Sequence, residues 1–288
     1  MPRNLSDVFD YFLPAKRPSE TSPIPSGVAQ GSSARMTETP STPARAREGN
    51  DHREGNSLTL LPIVALPIGD RDVVRAAFTW NLAVEIARLG GRARVLTPDP
   101  DDPSPLWPEP GMGPLGTELI PVVADDLGSL YRRAMELAVA GPRDHTEGPG
   151  MVFVRIPPGW LLKPGPGAPL LRWSLLFSSS RGNDLKETYG LSKLILGAQP
   201  DARVGITIHG AQSRREAEEA FGQLARAAEE GLHRSLLSYG LLVDDLHVYR
   251  AIVAQRPIGL AHPQAPAARA LRDVARMLME DARSSTFA

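Results

Sequence analysis

The sequence has no cysteine, which excludes disulfides, thiolate zinc sites and cysteine nucleophiles. No apolar run approaches the ~18 residues of a membrane span, and Met1-Pro2-Arg3-Asn4 leads into no long apolar stretch. The expectation is a cytoplasmic protein without a signal peptide, peripheral to membrane at most. Excess charge is also missing. Lys+Arg 32 against Asp+Glu 33 leaves a formal net charge of -1, so no bulk basicity points to nucleic acid. The six histidines are scattered without H-x-x-x-H spacing, which argues against a metal centre. Internal repeats are absent, and from Ala15 to Asn56 there is not one aromatic residue.

That aromatic-free stretch is rich in Pro, Ser, Thr, Gly, Arg and Glu and cannot bury enough surface to offset chain entropy. Residues 15–57 are therefore expected to be a disordered linker. As a flexible coil it spans roughly 35 Å root-mean-square. Before it, Leu5, Val8, Phe9, Phe12 and Leu13 fall at i, i+3, i+4, i+7 and i+8, with Asn4 or Ser6 as a cap and Pro14 as a stop. Residues 1–14 are thus expected to hold a short amphipathic helix whose apolar face docks on a protein partner. Folding back onto the parent domain and membrane contact are the competing readings.

From residue 58 to 288 the pattern alternates between strands and helices. Strands are expected at 59–66, 92–97, 118–123, 151–156, 173–177 and 204–208, and helices at 71–89, 125–140, 183–196, 213–231 and 266–282. Gly90-Gly91 should end the first helix, and 98–117 reads as a long loop rich in Pro, Gly and Asp. Apolar runs such as Met151-Val152-Phe153-Val154 suit strands buried on both faces. The expected fold class is α/β, a mainly parallel sheet with helices on both faces.

The segment Ile63 to Ala83 keeps the frame of a nucleotide-binding strand, loop and helix, and resembles the MinD/ParA/FlhG family of P-loop ATPases. In that family the first strand runs into K-G-G-x-G-K-[ST] and then a helix containing N-L-A. Aligned on Asn81-Leu82-Ala83, Gly69 matches the glycine before the motif. Asp70 replaces the signature lysine, Arg71 and Asp72 replace two glycines, and Val73 fits the variable position. Val74 then replaces the last glycine, Arg75 the phosphate-gripping lysine, and Ala76 the hydroxyl that would hold magnesium.

Further matches follow in order. Phe153-Val154-Arg155-Ile156-Pro157-Pro158-Gly159 resembles the switch segment ending D-T-P-P-G, with Arg155 at its aspartate. Arg94-Val95-Leu96-Thr97-Pro98-Asp99 resembles R-V-L-L-x-D-x-D, with Thr97 at the first aspartate and Asp99 retaining the second. Asp184 to Leu194 resembles the helix pattern D-A-Y-x-L-I-K-x-L, and His209 falls where an asparagine often recognises adenine. Residues 248–257 and 265–271 resemble the tail patterns V-R-x-A-V-x-x-x-R-P and S-P-A-A-R-A-L, nearer to FlhG than to plasmid ParA. The resemblance spans about residues 58–282 and implies a MinD-like P-loop fold and the possibility of a MinD-like homo- or heterodimer.

The altered positions change what that resemblance implies chemically. A phosphate loop needs small residues whose N–H groups turn inward, with a lysine and a hydroxyl for phosphate and magnesium. Asp70 and Asp72 bring carboxylates to a polyanion. At about 4 Å and an effective dielectric near 20, one such contact costs on the order of 4 kcal/mol, roughly a thousandfold in affinity. A branched guanidinium at Arg75 is also a poor lysine substitute. The expectation is a pseudo-ATPase scaffold or spatial regulator without a cofactor. A divergent ATPase binding ATP and magnesium weakly is the alternative, and a DNA- or membrane-surface module is a third class. Arg75 and Arg155 are expected to pair with Asp70, Asp72 and Asp99 in the old phosphate region. Ser178-Ser179-Ser180 reads as a strand boundary, Arg214, Arg215 and Arg226 as a solvated face, and the last helix as packing.

Overall fold

The central strand-forming runs are largely apolar and buried, with helices in the intervening sequence. In the computed structural model, which describes residues 60–99, 104–139 and 150–284, they form one eight-stranded sheet. The strands are β1 (Ile63–Pro67), β2 (Ala93–Pro98), β3 (Gly111–Met112), β4 (Glu118–Val122), β5 (Met151–Ile156), β6 (Trp173–Ser179), β7 (Arg203–Ala211) and β8 (Leu237–Val243). Their order is β3-β4-β2-β5-β1-β6-β7-β8, parallel except for β3 against β4. The expected helix at residues 4–13 and linker at 15–57 lie outside the described residues.

Helices α1 (Val73–Arg88), α5 (Leu246–Val253), α6 (Ile258–Ala261) and α7 (Pro266–Arg283) cover one face. There Phe78, Leu82, Leu271, Val274 and Leu278 pack over Val64, Leu66, Phe153 and Phe177. Helices α2 (Leu127–Ala138), α3 (Gly182–Ala198) and α4 (Arg214–Leu232) cover the other, where Leu130, Ile195, Phe221 and Leu224 meet Ala65, Val154, Ile206 and Ile208. The alternation Val64, Ala65, Leu66 between the two cores is the period-2 geometry of a strand buried on both faces.

Local chemistry sets the boundaries. Asp126 and Ser129 form a capping box at the start of α2, and Ser213 caps α4. Gly90 takes φ 83 after α1, so the double glycine ends that helix as expected. Gly205 on β7 has no Cβ because the Tyr239 ring of β8 lies across it. Tyr239, buried, then donates to Asp281 Oδ2 at 2.6 Å, fastening β8 to α7.

Three features differ from expectation. The loop expected over 98–117 contains β3, joined to β4 through the turn Pro114–Gly116, with Thr117 Oγ1 donating to the Pro114 carbonyl at 2.7 Å. Strand β8 and helices α5 and α6 were not expected from the pattern. Two 3-10 segments, Pro158–Leu162 and Gly165–Arg172, connect β5 to β6 where proline density disfavours an α-helix. The last helix packs against α1 and β8 with Leu271, Val274, Ala275 and Leu278 buried, as expected.

Candidate functional site

β1 lies between β5 and β6, yet the chain leaves it for β2 and returns through β5 before crossing to β6. In an open parallel sheet such a reversal leaves a crevice beyond the carboxyl ends of the strands. A cleft of about 770 Å³ occupies that position, bordered by the β1–α1 loop, the ends of β6 and β7, and the start of α3.

The β1–α1 loop is short and self-contained. Ile68 N–H donates to the Ile156 carbonyl at 3.0 Å, and Asp72 N–H closes a turn on the Gly69 carbonyl at 3.1 Å. Val73 N–H donates to the Arg71 carbonyl at 3.0 Å and Ala76 N–H to the Asp72 carbonyl at 3.1 Å. Asp72 is the N-cap of α1, its Oδ1 accepting from Arg75 N–H at 3.0 Å. The N–H groups of Asp72, Val73, Arg75 and Ala76 are thus engaged within the loop itself.

Two arginines anchor the region. Arg75, buried on α1, sets its Nε 3.2 Å from Asp72 Oδ2 and forks onto Glu187 of α3, at 3.3 Å and 3.1 Å. Burial works against the Arg75 charge, but Glu187, Asp72 and Asp184 outweigh it and raise the guanidinium above its ordinary value. Burial raises the Asp72 carboxyl, opposed by the Arg75 amide and charge.

Arg155, next to last in β5, has only 2% of its surface exposed. Its Nε donates to Thr97 Oγ1 at 2.7 Å, one terminal nitrogen donates to Asp70 Oδ1 at 2.7 Å and to the Ile68 carbonyl at 3.1 Å, and the other donates to the Pro98 carbonyl at 2.9 Å. Its guanidinium carbon stands 5.3 Å from the Trp107 ring centroid. Burial lowers its affinity for the proton while Asp70 opposes that.

The far wall carries polar groups that are mostly engaged. Ser179 donates to Asp184, Ser180 donates to Glu216, and Glu216 Oε2 accepts from Gln212 N–H at 2.9 Å. His209, at the end of β7, packs its ring 5.5 Å from Phe78, and its Nε2 is buried without a hydrogen-bond partner. Burial pulls its pKa down to about 4, helped by Arg75 and Arg181 and opposed by Asp184. The imidazole is neutral at physiological pH.

Of the residues singled out in the sequence, Gly69, Asp70, Arg71, Asp72, Val74, Arg75 and His209 line the cleft. Ala76, Thr97 and Arg155 lie behind the loop around a small apolar pocket with Trp107. Asp99 corrects the expected set: it is exposed beyond β2 and joins neither arginine, its N–H donating to the Val122 carbonyl at 3.1 Å. Both arginines do pair with carboxylates, Arg155 with Asp70 and Arg75 with Asp72. Glu187, the longer-range partner of Arg75, was missed, as were Asp244 and Tyr249 on the cleft wall. Only the need of a buried arginine for a second acid hinted at Glu187. The partner-docking set Leu5, Val8, Phe9, Phe12 and Leu13 lies outside the described residues. Among the described residues no group of three His, Asp or Glu could hold a metal, and no helix is long and apolar enough to cross a membrane.

No family model matches the chain, and no curated protein matches it. Solved structures do. The MinD cell division protein of Aquifex aeolicus, also solved in a complex with MinC, is 14% identical with a TM-score of 0.56, covering 76% of this chain and 97% of that one. The septum site-determining protein MinD of Pyrococcus horikoshii, complexed with Mg-ADP, is 13% identical with a TM-score of 0.56, over 78% and 98% of the two chains. A ParA family ATPase of Chlorobium tepidum is 11% identical at a TM-score of 0.51, over 77% and 99%. At these identities what is shared is architecture, and the chain has the MinD/ParA fold.

Proposed function

We propose that the protein is a MinD/FlhG-like pseudo-ATPase that acts as a scaffold or spatial regulator, positioning partners at a flagellar, pilus or division-type apparatus. One observation carries this reading. The N–H groups of Asp72, Val73, Arg75 and Ala76, where a phosphate cradle would form, are each engaged inside the loop. The arginines agree with it: Arg75 is held by Asp72 and Glu187, and Arg155 with Asp70 fixes the back of the loop. These residues do not fit a magnesium-bound triphosphate, because binding would break internal pairs and set Asp70 and Asp72 against like charge. No step of nucleotide chemistry is therefore derived.

The N-terminal segment 4–13 supplies the recruiting contact in this reading, and a MinD-type homo- or heterodimer is a further mode of assembly. The precedent is the complex of an Aquifex MinD with MinC. A second reading, a divergent ATPase that dimerises with ATP, is favoured by the open volume of about 770 Å³ beside the loop. Calorimetry with Mg-ATP and with Mg-ADP separates the two. The scaffold reading expects no binding tighter than about 10 µM, a bound set by the scale on which 1 µM is about -8.2 kcal/mol. Tighter binding with nucleotide-dependent dimerisation would establish the ATPase reading instead.

A further inference from the structure

Helix α5 is held to the domain by one side only. Val248, Ala251 and Ile252 are buried in the core, and Asp245 caps the first turn. After a left-handed Gln255 the Arg256 N–H closes the last turn on the Ala251 carbonyl at 3.0 Å. The opposite face is uncovered. Leu246, Tyr249 and Val253 are 60%, 49% and 68% exposed, and Arg250 is exposed among them. At 3.6 residues per turn these four side chains fall within an arc of about 100°, so they form one continuous strip on a helix anchored from behind.

Single apolar residues on a surface need no explanation, but three on one strip among uncompensated charges do. The charges are ordered along it. Asp244, exposed, precedes the strip, while Arg250 and Arg256, also exposed, lie in its second half and just beyond it. None of these three side chains has a charge partner among the described residues. The strip is thus acidic at its start, apolar in the middle and basic toward its end, a pattern that complements itself when turned end for end.

We infer that the protein forms a two-fold homodimer through α5, with the two helices antiparallel. About a midpoint between Tyr249 and Arg250, Leu246 falls opposite the partner's Val253 and Tyr249 opposite the partner's Arg250. The first contact is apolar, the second sets a guanidinium on an aromatic ring, and Asp244 falls beside the partner's Arg256. In an isologous dimer each contact is made twice. A parallel pair would set Asp244 against Asp244 and Arg250 against Arg250, and like charge opposes it.

The eight residues of α5 are far fewer than the roughly 20–30 that a standard interface takes from each side. The dimer is therefore weak, and salt weakens it further. Asp244 and Tyr249 also border the cleft, but no group of the β1–α1 loop takes part, so the pairing needs no nucleotide. It goes beyond the scaffold reading and stands or falls separately from it.

Sedimentation velocity of the full chain without nucleotide, from micromolar to millimolar concentration, tests this. The expected result is a concentration-dependent monomer–dimer equilibrium that weakens as salt is raised. Leu246→Ser with Val253→Ser should weaken it by about tenfold or more, at an unchanged melting temperature because both side chains are exposed. Asp244→Arg alone and Arg256→Asp alone should each weaken it too. Mixing those two variants in equal amounts should bring the dimer back toward parent strength, since one acid–arginine pair then forms in the native sense and the other reversed. No folding defect imitates that rescue. A chain that stays monomeric throughout overturns the inference, as does a dimer indifferent to these changes or a mixture no tighter than its components. Dimerisation that appears only with Mg-ATP overturns it as well, and would favour the ATPase reading instead.

Discussion

Arg155 stands next to the end of a buried strand, and four of its five N–H groups reach acceptors on β2 and in the loop after β1. Arg155→Met keeps volume but leaves Thr97 and two carbonyls without their donor and Asp70 without its counter-charge. Asp70 is 44% exposed and screened, so the cost falls on the buried acceptors left unpaired, about 1–3 kcal/mol for each group. At 2–4 °C per kcal/mol the melting temperature should fall by roughly 10 °C, and a melt within two degrees of the parent would show the strap to be dispensable. His209 offers a pH test. Its folded pKa of about 4 lies below the ordinary 6.5, so between those values the unfolded chain binds more protons. Stability contributed by the neutral ring is full above pH 6.5, falls as pH drops toward 4 and levels off below. At 1.36 kcal/mol per unit the loss is on the order of 3 kcal/mol. His209→Asn should flatten that limb in urea titrations relative to the parent; parallel curves would refute the burial argument.

At the scale of elements, the pseudo-ATPase reading distributes the proposed loss of the phosphate site over Arg75, Ala76, the positions without glycine and Arg155. Arg75→Lys alone is therefore expected to show no ATPase turnover above a loop-deleted control, since the engaged N–H groups are untouched. The β8–α7 fastening gives a second test. Tyr239→Phe removes the bond to Asp281 and should cost about 1.5–3 kcal/mol, the range for a hydrogen bond to a charged group, read as a lower denaturation midpoint at unchanged slope. Much of this architecture was legible in the sequence, because strands buried on both faces write themselves as apolar runs and helices as 3.6-residue periods. α5 was legible in principle too, since Asp245 before Leu246 is a cap signal, confirmed by its bond to His247 N–H at 2.9 Å. β8 was not: Leu237-Ser238-Tyr239-Gly240 interrupts the apolar run, and it is Gly205 across the sheet that makes room for the tyrosine. The arginine–carboxylate pairing followed from charge at aligned positions, whereas Glu187 and the exposed Asp99 depended on tertiary placement that no local pattern encodes.

For the molecule as a whole, composition divides the chain near residue 58. Limited trypsin digestion should cut first at Lys16, Arg35, Arg45, Arg47 or Arg53 and leave a resistant product beginning near Leu58, with a single cooperative melting transition. Early cutting inside α3 or α7 instead would place the weak point in the sheet domain. The sheet order has one more consequence, for biogenesis. Among the described strands β1 is the first to leave the ribosome, yet its neighbours are β5 and β6, and Ile63 pairs with Val152. At 5–20 residues per second, synthesis leaves β1 without its first permanent neighbour for roughly 5 to 20 s. During that interval Val64, Ala65 and Leu66 form an unpaired apolar ribbon attached to a nascent α1. The central position that organises the finished cleft makes this strand the longest-waiting part of the emerging sheet, and the one most in need of shelter by a chaperone.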